Sequence, residues 1–331
     1  METAACISLI GSTSHTQWKW KKHLLYEILL YYYSTHLYEG DFIMKTCWII
    51  YNGSLINDKF LDQARLMAEA CEQLNVQPTI LKNYEMMMKL DEELQNKPDF
   101  VIFLDKDILL ATYLKNCGIP VFNDPEVIET CDNKAKQYIQ LAKAHVPMPT
   151  TIIAPKVYPK FTIRDSGYFE NVLHTLGLPM IIKEGHGSFG MNVYLIHTEE
   201  EFYEKVDALR GVDFVFQQFV ASSRGRDIRV NIIGDEIIAS MYRHSETDFR
   251  ANITNGGHAE KIMLTDIQKE VAIQAAKAVG AEFAGVDLLF GPDEEPIVCE
   301  VNAAAHIRNL YNVTGINVGV AFVEYILKKI G

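Results

Sequence analysis

Residues 283–302 read FAGVDLLFGPDEEPIVCEVN, two apolar runs separated by Gly291-Pro292-Asp293-Glu294-Glu295-Pro296. Strand formers flank a block of turn formers, so the segment predicts a β-hairpin. Closure about positions 293 and 294 sets Asp287 directly opposite Glu300, and strand alternation puts Asn302 on the same face as Glu300. Directly opposed like charges destabilise a sheet, so the pair calls for a cation. An all-oxygen set suits hard Mg²⁺ or Mn²⁺ rather than zinc. The alternative is a solvated strand face with incidental acids, which a one-residue change of register would produce.

Outward from the hairpin, the helix before it is marked by a capping box of Thr265 and Gln268, with Ile267, Val271, Ala275 and Val279 repeating every four residues. Further upstream, Ile228–Ile233 and Glu236–Met241 flank Gly234-Asp235, a two-residue hairpin signal. Leu178–Lys183 and Val193–Ile196 flank KEGHGSFGMN (183–192), with glycines at 185, 187 and 190 and a serine at 188. Glycines let backbone N–H groups approach phosphate oxygens, and Lys183 adds a point charge. The segment lacks G-x-x-x-x-G-K-[ST], and its strand-loop-strand setting excludes the dinucleotide fingerprint. An ordinary hairpin connection is its alternative reading. Lys134, Arg226, Arg229, Arg243 and Arg250 supply cations around these features. Arg229 and Arg243 lie inside predicted strands and want anions, either a ligand or Asp227, Asp235 or Glu236.

The first half of the chain follows another logic. From Met44 to about Val121 apolar runs alternate with helical periodicity, which is βαβ order with a parallel sheet. A helix from about Pro125 to His145 ends at Pro147 and Pro149. Residues 1–43 differ in character, with two of the three tryptophans and a Leu24–Tyr33 apolar stretch about half the length of a membrane span. They read as an extension without catalytic groups. The whole chain has 331 residues, 48% apolar, enough for about two domains with a sizeable core. Its 31 basic and 43 acidic residues give −12, which disfavours nucleic acid. Six scattered cysteines without metal-ligand spacing suit a reducing compartment, so a cytoplasmic location is expected, with no membrane partner. Histidines form no ligand spacing and no serine lies in G-x-S-x-G, so nucleophilic hydrolysis is not signalled.

Asn133-Lys134, the strand ending in Lys183 with its glycine loop, FQQFV (216–220), RDIRVNIIGDEIIASMYR (226–243), DFRAN (248–252), GVDLL and EVNA stand in an order that resembles an ATP-grasp ligase of the RimK-type glutamate ligase family. The resemblance covers about residues 120–330 and, more faintly, reaches back to Met44. It implies an α/β fold: a parallel-sheet domain at 44–123, then an ATP-grasp domain at 124–331. The latter's two α+β subdomains, about 150–219 and 220–331, would enclose the nucleotide. It implies that Lys134 and Lys183 contact ATP phosphates under a loop of Gly185, Gly187, Ser188 and Gly190. Gln217, Gln218, Phe219 and Val220 would hold adenine, with Asp227 and Arg229 near the nucleotide. Asp287, Glu300 and Asn302 match Mg²⁺ ligands, for what would be two ions, and Arg243, Arg250 and Asn252 face the transferred phosphate and the substrate.

The implied reaction activates a carboxylate with ATP and condenses it with an amine, adding glutamate or another amino acid to a peptide, protein or small molecule. Relatives also suggest self-association. The chain departs from the family pattern at Gln218, where a glutamate is common, and at Ala303, Ala304, Ala305 and His306, where a different substrate wall is common. His306 and Arg308 are therefore candidates for recognising another acyl or amine partner. Two other functions fit the same fold: a kinase acting on a hydroxyl, and a synapsin-like nucleotide-binding regulator.

Overall fold

The computed structural model describes residues 44–331 except 164, 165, 188, 189, 252, 254 and 255, so the 1–43 extension, Ser188 and Asn252 lie outside the described residues. Lys45–Gly331 forms one compact unit.

Three sheets organise it. The first is parallel, in the order β2-β1-β3-β4, from β1 (Thr46–Tyr51), β2 (Gln77–Lys82), β3 (Phe100–Phe103) and β4 (Val121–Phe122). Its crossovers include α1 (Asp58–Gln73) and α2 (Ile108–Asn116). β3 is buried along its whole length, which is why it reads as the continuous apolar run FVIF.

After α3 (Pro125–Asp132) and α4 (Lys134–Lys143) comes an antiparallel sheet, β5-β8-β6-β7. Its strands are β5 (Thr151–Ile153), β6 (Met180–Glu184), β7 (Val193–Ile196) and β8 (Phe214–Gln218), with α5 (Ser166–Leu176) and α6 (Glu199–Ala208) packed on it through Phe169, Val172 and Phe202.

The third sheet is also antiparallel, β11-β10-β9-β12-β13. It contains β9 (Arg226–Ile233), β10 (Glu236–His244), β11 (His258–Lys261), β12 (Phe283–Phe290) and β13 (Pro296–Asn302). Strand alternation splits β9 cleanly. Ile228, Val230 and Ile232 pack against α7 (Asp266–Ala278), while Asp227, Arg229 and Asn231 take the other face. That face also meets α1, α8 (Arg308–Thr314) and α9 (Val318–Ile330), where Ile233, Met241, Leu310 and Phe322 share a core. No single helix among the described residues is long and apolar enough to cross a membrane.

Three local readings need correction. The helix expected from Pro125 to His145 is broken at Asn133, which ends α3 and caps α4 by accepting the Lys136 N–H. A short polar side chain offers the backbone a local partner and so competes with continuing the helix. On α7 the capping box is present and Val271, Ala275 and Val279 of the expected stripe are buried, with Ala272 and Ala276 beside them, but Ile267 is 64% exposed. A stripe repeating every four residues drifts about 40° per step on a 3.6-residue helix, so its first member turns off the core. The 283–302 hairpin does not close about 293 and 294: Phe290 pairs with Pro296, and a bulge between Asp287 and Leu288 on one strand and Val298 and Glu300 on the other shifts the register by one. The bulge leaves Asp287 paired with Glu300, the pairing expected from the sequence. The Gly234-Asp235 turn joins Ile233 to Glu236 as expected, with Gly234 at φ +55.

Candidate functional site

β9 sits centrally, and its register aligns a row of buried charges. Arg243 on β10 pairs with Asp227, and Asp287 on β12 pairs with Arg229. Arg243 Nε and Nη2 donate to Asp227 at 2.6 and 2.7 Å, and Nη2 also reaches Asp287 at 3.0 Å. Arg229 grips the same Asp287 through Nε and, at 2.8 Å, through Nη2. Burial opposes charge on Asp287, but the two guanidiniums overcome it and hold its carboxyl below the ordinary range. Burial dominates at Asp227 and raises its pKa despite Arg243. Thus the anions wanted by Arg229 and Arg243 are supplied within the sheet.

Around this network lie two cavities. The smaller, about 110 Å³, lies between the second and third sheets. Lys134 and Lys183 enter it, as do Gly187, Gly190 and Arg250. Gln217, Gln218, Phe219 and Val220 form a further stretch of its wall, and Asp227, Asp287 and Glu300 its polar floor. Gly185 is absent from the lining. Its carbonyl accepts the Lys134 N–H at 2.8 Å, tying the glycine-rich loop to the start of α4. Lys134 Nζ also donates to the Gly187 carbonyl, 3.4 Å away, and His186 Nδ1 lies 2.9 Å from Asp132. Arg250 is held by Asp248 and donates to Gly190 O at 2.5 Å, so it too anchors the loop.

Lys183 is buried, with Nζ donating to Tyr138 Oη at 2.9 Å and 3.7 Å from Cys299 Sγ. Burial opposes its charge; Cys299, Tyr138 and Glu300 outweigh that, so its pKa is raised and the ammonium persists. Lys134 is shifted the other way by burial, with Glu300 compensating in part. Sequence reasoning missed Tyr138, although it lies four residues after Lys134 on α4, where the two share a helix face. Cys299 was missed because only the bulge explains its position.

The larger cavity, about 430 Å³, lies where the third sheet and Ala303–Asn309 meet the parallel sheet and α1. That is within the ~300–1,000 Å³ range of small-molecule sites. Arg229, Arg243 and Asn302 line it, with His306 and Arg308 on the same wall. Arg308 is held bidentately by Asp62 on α1, both contacts at 2.6 Å. His306 stacks edge-on to Phe60, and burial pushes its pKa down to about 4. Arg226 instead faces the smaller cavity, paired with Glu294 and lying over Phe290. Glu300 lines both cavities.

Among the described residues, no three carboxylate, histidine or cysteine side chains form a metal cluster. Two carboxylates and an amide do assemble: Asn302 Nδ2 donates to Glu300 Oε1 at 3.2 Å, and Glu300 pairs with Asp287. Asp287 already meets two arginines, whereas no cation is bonded to Glu300 among the described residues. A carboxylate offers about four acceptor sites, so Asp287 keeps some capacity. This hard-oxygen set fits a divalent ion, with Glu300 as its least committed donor.

The chain is 29% identical over 268 residues to the MG012 homolog of Mycoplasma pneumoniae, covering 78% of this chain and 92% of that one. It is 32% identical over 210 residues to a probable alpha-L-glutamate ligase of Picosynechococcus, covering 62% and 67%. The solved ATP-grasp ligase PsnB, complexed with its minimal precursor, Mg and ADP, has a similar fold, with TM-score 0.63 at 16% identity over 86% of this chain and 98% of that one. Residues 131–326 match the RimK-like ATP-grasp domain, and with the two lysines, the glycine-rich loop and the paired acids in one cleft, the chain belongs to the RimK-like ATP-grasp family of ATP-dependent ligases.

Proposed function

We propose that the protein activates a carboxylate as an acyl phosphate and condenses it with an amine. The observation that carries this reading is the meeting of two cavities at Glu300, one with phosphate-type donors and the other sized for substrates. Lys134, Lys183 and the 185–190 backbone would hold the ATP phosphates, and Gln217–Val220 the base. Asp287, Glu300 and Asn302 would hold Mg²⁺ or Mn²⁺. A bound ion would supply positive charge to offset the negative charge on the transferring group.

The carboxylate oxygen attacks the γ-phosphorus and the bond to ADP breaks. The amine nitrogen then attacks the acyl carbon, phosphate leaves and the nitrogen gives up a proton. Lys183, already charged and fixed by Tyr138, contributes electrostatic stabilisation without reorganising. Arg243 and Arg229 are fixed by their aspartates on the wall of the larger cavity, where their remaining N–H groups would meet the substrate. Arg250 would act mainly through the loop it anchors.

The relatives named as glutamate ligases make L-glutamate the first substrate to try. The test is incubation of the full chain with Mg-ATP and pooled amino acids, amines and peptides, following ADP and the mass gain of a condensation product. Hydroxylamine should trap the acyl phosphate. ADP release with phosphate on a hydroxyl would instead mark a kinase, and nucleotide binding with no turnover a regulator.

A further inference from the structure

A buried acid in the larger cavity has no role in the reaction as written. In the parallel sheet β1 and β3 are neighbours, yet β1 connects to β2 on one side and β3 to β4 on the other. The crevice beyond their carboxyl ends is therefore the sheet's topological switch point, the place where open α/β sheets receive ligands. Asn52 follows β1 and Asp105 follows β3. Asn52 Nδ2 donates to both Asp105 oxygens, at 3.1 and 3.2 Å, across that crevice.

Asp105 is 7% exposed and lines the larger cavity. Four cations on that cavity's walls are committed elsewhere: Lys106 is paired with Asp132, Arg308 with Asp62, Arg229 with Asp287, and Arg243 with both Asp227 and Asp287. Among the described residues none is bonded to Asp105. Burial raises its pKa, with Asp107 adding like charge, and the Lys106 N–H, the Asn52 amide and the more distant Lys106 charge only partly compensate. A buried carboxylate hydrogen-bonded only by neutral donors is costly unless a cation completes it. The cavity is thus bounded by guanidiniums and an amide on the third sheet and, on the parallel sheet, by a carboxylate to which no cation is bonded among the described residues.

We propose that Asp105 is the anionic pole of a substrate subsite and binds a primary ammonium group. This rests on the ligase reading and assigns the group by which the larger cavity recognises its amine-bearing substrate. The ammonium could come from an amino acid or a polyamine.

Calorimetric titration of the full chain with Mg-AMPPNP present separates these sources, using pooled L-amino acids in one arm and putrescine with spermidine in the other. At least one pool should bind, and the ligand responsible should lose its binding when fully N-acetylated. Asp105→Asn should weaken the same ligand by on the order of tenfold or more, with Mg-AMPPNP affinity kept within about twofold. Equal affinity for the acetylated form, unchanged affinity in Asp105→Asn, or no binding from either pool overturns the assignment. So does loss of nucleotide binding in the variant, which would mark Asp105 as structural. ADP release with amine affinity indifferent to Asp105→Asn removes this inference alone. Asp105-dependent amine binding without any ADP release removes the ligase reading alone.

Discussion

Lys183 and Asp287 are both buried charges, and they fail differently when neutralised. Lys183→Met removes a preorganised positive charge from the smaller cavity and should lower turnover by on the order of 100-fold or more, read as ADP release. Asp287→Asn should lower turnover comparably. It also strips Arg229 of its bonded carboxylate and leaves Arg243 with Asp227 alone, so a loss of stability of about 3 kcal/mol is expected from urea unfolding. Glu300→Gln is the gentler test, because no arginine is bonded to it. Turnover should fall, and since Glu300 also offsets the burial of Lys134 and Lys183, the stability loss should be measurable but smaller than for Asp287→Asn. His306 gives a pH signature. Its pKa is lowered to about 4 by burial, so the folded chain keeps it neutral while the unfolded chain takes up a proton below the ordinary 6.5. Its contribution is complete above pH 6.5, declines as pH falls and is exhausted near pH 4, about 3 kcal/mol in all. Urea midpoints between pH 7 and 4 should therefore fall more steeply for wild type than for His306→Gln, and parallel curves would contradict the burial of this ring.

At the scale of elements, legibility followed the range of the forces involved. The Gly234-Asp235 turn and the Thr265 capping box are specified by neighbours in sequence, and both are present. Thr265→Ala should cost about 1 kcal/mol with activity unchanged, measured by urea unfolding and ADP release. The helix break at Asn133 and the bulge at Cys299 were not legible, because each resolves a competition between local hydrogen bonds and distant packing. Both matter for the site: the break sets the Lys134 N–H against Gly185, and the bulge brings Glu300 opposite Asp287. Gly285 is the tightest point of this frame. A Cβ there would collide with Ala305 Cβ and crowd Arg229 Cδ at 3.2 Å. Gly285→Ala should therefore cost about 1–3 kcal/mol and disturb both the Asp287–Arg229 pair and the Ala303–Ala305 wall. A variant of wild-type stability would show that the strand and this wall are free to move apart.

For the molecule as a whole, the alternation of parallel and antiparallel logic along the chain was readable from periodicity, and the hairpin acids from strand pairing. The larger cavity was not. Its walls draw on residues 55–62, 104–106 and 300–309 among others, and no spacing rule connects positions some 200–250 apart in sequence. Ligand binding offers a global check on the smaller cavity. Mg-ATP at 100 times its dissociation constant should stabilise the chain by about 2.7 kcal/mol, seen as a rise in Tm that EDTA reverses. Glu300 stands in the partition between the two chambers, so a charge arriving on one side alters what the other side offers its guest. Thermodynamic reciprocity then demands that whatever factor the nucleotide imposes on the acceptor's affinity, the acceptor returns in equal measure to the nucleotide.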